Sequence, residues 1–197
     1  MRSARLMGVL LALAGLLQVA LSLKITAFNI RTFGETKMSN ATLSNYIVKP
    51  AVVKFSSPST KVKEFAIVPL HAAPSDAVAE INSLYDVYLD VRKKWDLEDI
   101  MLMGDFNADC SYVTTSQWSS IRLRTSSAFQ WLIPDSADTT VTSTDCAYDR
   151  IVVAGSLLQS AVVTNSAARF NFESAFGLSN AMALAVSDHY PVEVTLK

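Results

Sequence analysis

Four apolar stretches of this chain each carry a carboxylate, amide or imidazole at one end. They are Leu23 to Ile30 with Asn29, Asp99 to Met103 running into Gly104-Asp105-Phe106-Asn107, Ala147 to Ala154 with Asp149, and Tyr190 to Leu196 behind Ser187-Asp188-His189. Their lengths and apolar content predict strands, and strand ends collect short polar side chains along one rim. Ala51 to Phe55 and Glu64 to Leu70 flank the polar Ser56-Ser57-Pro58-Ser59-Thr60 turn and read as a hairpin, with His71 at its end. Phe129 to Ile133 is one more strand. Apolar Val78, Ile81, Leu84, Tyr85, Tyr88 and Val91 recur at helical spacing behind Pro74, so Ser75 to Trp95 is the best helix, with shorter ones at Ser39 to Val48 and Asn180 to Val186. No repeat or linker interrupts the chain. The expected architecture is an α/β or α+β domain dominated by its sheets.

The N-terminus stands apart from that pattern. Arg2 and Arg5 precede an apolar run from Leu6 to Leu17 that closes with Ala20-Leu21-Ser22, the form of a secretory signal peptide, with cleavage expected after Ser22. An uncleaved signal anchor is the alternative. Cleavage leaves a single domain, residues 23–197, with 15 basic and 18 acidic residues. That balance excludes binding to nucleic acid by bulk charge, because few counterions would be released. The grip on a polyanion must come from a local cluster or a metal. Export makes Cys110 and Cys146 most simply one disulfide, worth about 3 to 4 kcal/mol in the chain-entropy treatment, with two buried thiols as the other possibility. Asn40 begins the sole glycosylation sequon.

The rim chemistry suits a hard divalent ion. Mg²⁺ takes oxygen ligands, keeps several waters and is satisfied by one or two carboxylates with amides and a substrate phosphate. Asn29, Asp105, Asn107, Asp149 and Asp188 offer that set. His71 and His189 are the only imidazoles, the side chains best suited to moving protons near neutral pH. Asp149 could orient His189. Each feature alone is more often turn chemistry, and the set is stronger than its parts.

The stretches Phe33-Gly34-Glu35-Thr36-Lys37-Met38-Ser39-Asn40, Met103-Gly104-Asp105-Phe106-Asn107, Cys146-Ala147-Tyr148-Asp149-Arg150 and Ser187-Asp188-His189-Tyr190-Pro191, together with Leu23-Lys24-Ile25, resemble the deoxyribonuclease I branch of the endonuclease/exonuclease/phosphatase superfamily. The resemblance covers essentially the whole chain. It implies a two-sheet sandwich flanked by helices that nicks double-stranded DNA to 5′-phosphate products, with Mg²⁺ at the active site and Ca²⁺ for structure. It implies His71 and His189 as the acid/base pair and Asp149 as the residue orienting His189. Asn29, Asp105, Asn107 and Asp188 become the metal- and phosphate-binding groups. Arg31, Tyr148 and Tyr112 become DNA contacts, and Asp138, Thr140, Thr142 and Thr144 a calcium site. It also implies a secreted monomer with no membrane attachment after cleavage.

One departure is large. Helix residues Tyr46-Ile47-Val48 reach the strand at Ala51 through Lys49-Pro50 alone, where the family has a further strand and a DNA-contacting region. The domain is therefore incomplete. With that block go a metal-binding glutamate, the glutamate that partners the histidine matching His71, and most of the surface on which the family holds monomeric actin. Loss of one such group costs about 10² to 10⁴ in rate. The rival reading is a secreted remnant that binds calcium or DNA weakly without turnover. A phosphodiesterase acting on lipid or sugar phosphates is a third, disfavoured by the deoxyribonuclease-like stretches.

Overall fold

The computed structural model describes residues 22–29 and 52–197. The expected signal peptide, the Ser39 to Val48 helix, the junction at Lys49-Pro50, Arg31 and Asn40 lie outside the described residues. Eight strands form two sheets: β1 (Leu23–Ala27), β2 (Val53–Ser56), β3 (Glu64–His71), β4 (Ile100–Asp105), β5 (Phe129–Trp131), β6 (Asp149–Ala154), β7 (Ala168–Arg169) and β8 (Val192–Leu196). One sheet has the order β1-β8-β7 and the other β2-β3-β4-β6-β5. The helices are α1 (Ala77–Trp95), α2 (Arg122–Thr125), α3 (Ser156–Ala161), α4 (Phe172–Ala175) and α5 (Asn180–Val186). The molecule is an α/β sandwich of two sheets flanked by helices.

Alternation along the strands builds two cores. Side chains of β4 and β6 point to opposite faces by turns. Ile100, Leu102, Val152 and Ala154 join Ile81, Leu84, Tyr88 and Val91 of α1 on one face. Met101, Met103, Ile151 and Val153 meet Val192, Val194 and Leu196 of β8 on the other, which closes the sandwich. Covered on both faces, β4 and β6 have no polar alternation to show, which is why they read as unbroken apolar runs. The α1 stripe Ala77, Ile81, Leu84, Tyr88 and Val91 is the single buried face expected of an amphipathic helix.

The predicted hairpin is present as the antiparallel β2–β3 pair, Val53 opposite Ile67 through Ser56 opposite Glu64. Its loop runs longer than the Ser56 to Thr60 turn, because Val62 is drawn into the inter-sheet core. The strand expected from Ala147 starts at Asp149 instead. Ahead of it Arg150 Nε takes the Ala147 carbonyl (2.7 Å) and Thr139 Oγ1 takes the Tyr148 and Asp149 amides (3.1 Å each), so side chains replace a neighbouring strand.

Candidate active site

Register brings the predicted residues together. β3 and β4 are parallel with His71 opposite Asp105, and β4 and β6 are antiparallel with Asp105 opposite Asp149, so three site residues share one rung of the larger sheet. Close approach of β3 and β4 at this end requires Gly104. Its φ is +136°, and a Cβ there would lie 2.2 Å from the Leu70 carbonyl oxygen. Asn107 turns the chain back beyond β4 at φ 49°, a left-handed conformation that asparagine tolerates. Its amide N–H donates to Asp105 Oδ1 (2.9 Å) and its Nδ2 to the Ala72 carbonyl (2.8 Å), fixing the end of β4 to the end of β3.

Asp105 is the centre of the cluster. Asn29 Nδ2 donates to its Oδ2 at 2.9 Å, and the same oxygen lies 3.4 Å from His71 Nε2 and 3.8 Å from His189 Nε2. His189 Nδ1 meets Asp149 Oδ2 at 2.7 Å, so the imidazole is held by one ring nitrogen and directs the other toward Asp105. One ligand atom from each of Asp105, Asp149 and His189 falls within 4.8 Å of the others, an arrangement able to hold a metal ion. The Asp188 side chain is not in that group. It is half-buried, and its charge acts on His189.

Electrostatics separate the two imidazoles. Burial pulls the His189 pKa down, but the hydrogen bond and charge of Asp149, with Asp105 and Asp188 behind, outweigh it and raise it to about 9. Burial likewise raises Asp149 to about 6 against the hydrogen bonds of His189 and Thr139. Between those values the pair stands as imidazolium and carboxylate. His71 is 64% exposed on its side chain, and Asp105 is its acidic neighbour among the described residues.

Three residues that sequence reasoning passed over hold this geometry. Buried Thr139 donates to Asp149 Oδ2 at 2.8 Å while accepting the Tyr148 and Asp149 amides. Buried Ser187 donates to the Asn29 carbonyl (2.6 Å) and accepts the His189 amide (3.2 Å), linking β1 to the loop that carries His189. Fully buried Arg150 binds the carbonyls of Ala147 (2.7 Å), Ala108 (3.0 Å) and Ile133 (3.0 Å) and the Asp135 carboxylate (2.8 Å), lacing three loops behind the rung. Thr139 and Ser187 look like ordinary loop residues in the sequence. Arg150 gave a signal, since an arginine between Asp149 and an apolar strand needs buried partners.

Cys110 and Cys146 are joined, with Cα atoms 6.0 Å apart, and the free-thiol alternative falls away. Tyr148 lies 6.0 Å from His189 and 5.3 Å from Tyr112 between ring centroids, so both tyrosines flank the site. The Thr-rich loop folds around its acid. Asp138 Oδ1 accepts from the Thr140 amide (2.9 Å) and hydroxyl (2.7 Å), and Thr142 and Thr144 hydroxyls pair at 2.6 Å. Thr140 bridges His189, and Val141 N–H donates to the Asp188 carbonyl (2.8 Å), so this loop braces the segment that carries His189.

The two-sheet sandwich with its acid, amide and imidazole rim is that of a phosphoryl-cleaving hydrolase class. The chain belongs to the endonuclease/exonuclease/phosphatase family, whose sequence model matches residues 19–189. Its relatives within it are deoxyribonucleases. It is 59% identical to Deoxyribonuclease-1 of Bos taurus over 281 aligned positions, covering 100% of both chains. Identity to Deoxyribonuclease-1 of Sus scrofa is 58% over 282 positions, covering 100% of this chain and 99% of the relative. The ovine protein is 58% identical over 259 positions, covering 88% of this chain and all of the relative. Against 281 positions the chain supplies 197 residues, leaving 84 positions of the bovine alignment without a residue here. Among solved structures, that of humanized D. rerio TDP2 with 14 mutations has TM-score 0.51 at 13% identity, covering 90% of this chain and 99% of that one, a likeness of fold alone.

Proposed function

We propose that this chain is an exported, metal-dependent endodeoxyribonuclease that cleaves double-stranded DNA with two imidazoles as its acid/base pair. The observation carrying the proposal is the shared rung of His71, Asp105 and Asp149, with His189 hydrogen-bonded to Asp149. The donor set fits a hard cation: Asp105 and the amides of Asn29 and Asn107 are oxygen ligands, and Asp188 adds charge nearby. A Mg²⁺ ion held there supplies charge neutralisation at the phosphate.

The residues supply the proton movements. His71, exposed beside the rung, accepts the proton of the attacking water. His189, kept charged by Asp149, gives its proton to the departing O3′ as the P–O3′ bond breaks, leaving a 5′-phosphate and a 3′-hydroxyl. Asn29 and Asn107 orient the phosphate through amide hydrogen bonds, and Tyr148 and Tyr112 extend the surface along the DNA. Ca²⁺ at Asp138, Thr140, Thr142 and Thr144 suits a ligand set of one carboxylate with hydroxyls and carbonyls, and would stiffen the loop bracing His189. Arg31 is a proposed DNA contact and Asn40 a proposed glycan site. Cleavage after Ser22 gives the exported domain, 23–197. The basic Arg2 and Arg5, the apolar run after them and the small residues before Lys24 support it.

A second reading is favoured by one observation. His71 has Asp105 for its acidic neighbour, an acid already committed to Asn29 and the Asn107 amide, so its orientation is weakly enforced. On that reading the chain binds Ca²⁺ or DNA without turnover. Plasmid nicking by the purified chain with Mg²⁺ and Ca²⁺ decides between them, with EDTA and His189→Ala as controls. Turnover lost in both controls supports the enzyme, no turnover supports the remnant, and nicking indifferent to EDTA removes the metal mechanism. Intact mass of the secreted protein checks the leader.

A further inference from the structure

A path of rings leads from the catalytic imidazole to a cavity that the mechanism does not use. His189 and Tyr148 lie 6.0 Å apart, Tyr148 and Tyr112 5.3 Å apart, each pair tilted by about 35° or less between planes. Beyond Tyr112 a cavity of 310 Å³ opens between the first turns of α1 and the turn Trp118–Ser120, lined by Ser75, Asp76, Asn82, Tyr112, Gln117 and Ser120. That volume sits at the small end of the range for ligand pockets, about 300 to 1,000 Å³. The chain reaches it from the other imidazole too, since Ser75 follows His71 by a few residues.

The lining selects a ligand class. Its one charged group is the Asp76 carboxylate, which repels phosphate. Tyr112 presents an exposed aromatic face. The amide oxygens of Asn82 and Gln117 are taken, Asn82 Oδ1 by Arg122 (2.9 Å) and Gln117 Oε1 by the Thr114 amide (2.9 Å). Their amide nitrogens have no partner among the described residues and remain as donors. An aromatic wall with amide donors and a carboxylate acceptor complements the face and polar edge of a nucleobase, the combination by which unpaired bases are read.

Accepting that the substrate is DNA, we infer that this cavity takes an unpaired base close to the scissile phosphate, stacked on Tyr112. A base in a regular duplex cannot enter it. The enzyme therefore favours cutting beside bulges, gaps and frayed ends, where unstacking has already been done. The aromatic path sets the direction: the displaced base lies on the Tyr148 side of His189, and the paired duplex continues on the other.

The test reads binding without turnover. With Mg²⁺ and Ca²⁺ present, the full chain carrying His71→Ala, which blocks turnover and leaves the possible metal-holding group intact, is titrated into a duplex carrying one bulged 2-aminopurine and into its fully paired counterpart, following fluorescence quenching and anisotropy. Ala79→Met fills the cavity from an exposed position of α1 with a good helix former, and touches no group of the catalytic rung. The expected result is quenching of the bulged base by the parent chain, about tenfold weaker binding of the bulged duplex by Ala79→Met, and unchanged binding of the paired one. Tyr112→Ala should lose the quenching as well. DNA binding without quenching, or quenching that Ala79→Met leaves intact, overturns the base pocket alone. Absence of binding to either duplex overturns the DNA reading and the pocket with it.

Discussion

At the scale of the residue, the site depends on how one buried carboxylate is shared. Asp149 Oδ2 receives both the Thr139 hydroxyl and His189 Nδ1, so the imidazole has one allowed orientation. Thr139→Val keeps the shape but strips Asp149 of a donor and leaves the buried Asp149 amide and the part-buried Tyr148 amide without this acceptor. It should cost about 1 to 3 kcal/mol for each group left unpaired, read from urea unfolding, and slow nicking together with it. His189→Gln should remove nearly all turnover, by about 10² to 10⁴ in single-turnover rate. The same pair makes a pH prediction for the EDTA-treated protein. His189 is raised from 6.5 to about 9, so the folded state binds the extra proton and the stabilisation is complete below 6.5. It is lost as pH rises through 9, and the denaturant midpoint should fall across that interval in the parent chain and stay flatter in His189→Gln.

At the scale of the element, two substitutions should behave differently. Gly104→Ala forces a Cβ against the Leu70 carbonyl at a φ of +136°, prising β3 from β4 where the rung lies. The strain costs about 1 to 3 kcal/mol, and activity should fall further than stability because His71 and Asp105 separate. Ile81→Ala on the buried stripe of α1 should cost about 2 to 5 kcal/mol yet leave the rate per folded molecule unchanged, since it acts on the far core. Circular dichroism melts with nicking measured well below the transition separate the two. Most of these elements were legible beforehand, because apolar alternation and the α1 stripe are short-range signals. The short helices α2, α3 and α4 and strand β7 were not, being too brief for a period to register.

At the scale of the whole molecule, the edge strands stand out among the described residues. All four residues of β2 are exposed, with Val53 and Phe55 among the large apolar side chains in solvent, and β1 is only half-buried against β8. Exposed strand edges of this kind are sites of self-association. The disulfide Cys110–Cys146 ties two loops together, and Cys110→Ser with Cys146→Ser should lower stability by about 3 to 4 kcal/mol. What the residues determined by themselves was the inventory: strand ends bearing Asn29, Asp105, Asp149 and His189, one strong helix and a cysteine pair, all readable within a few neighbours. What only the tertiary structure decided was which of these meet. Strand register joins residues far apart in the chain and alone sets His71, Asp105 and Asp149 on one rung, while Thr139, Ser187 and Arg150 meet carboxylates and carbonyls of other segments that no local pattern encodes.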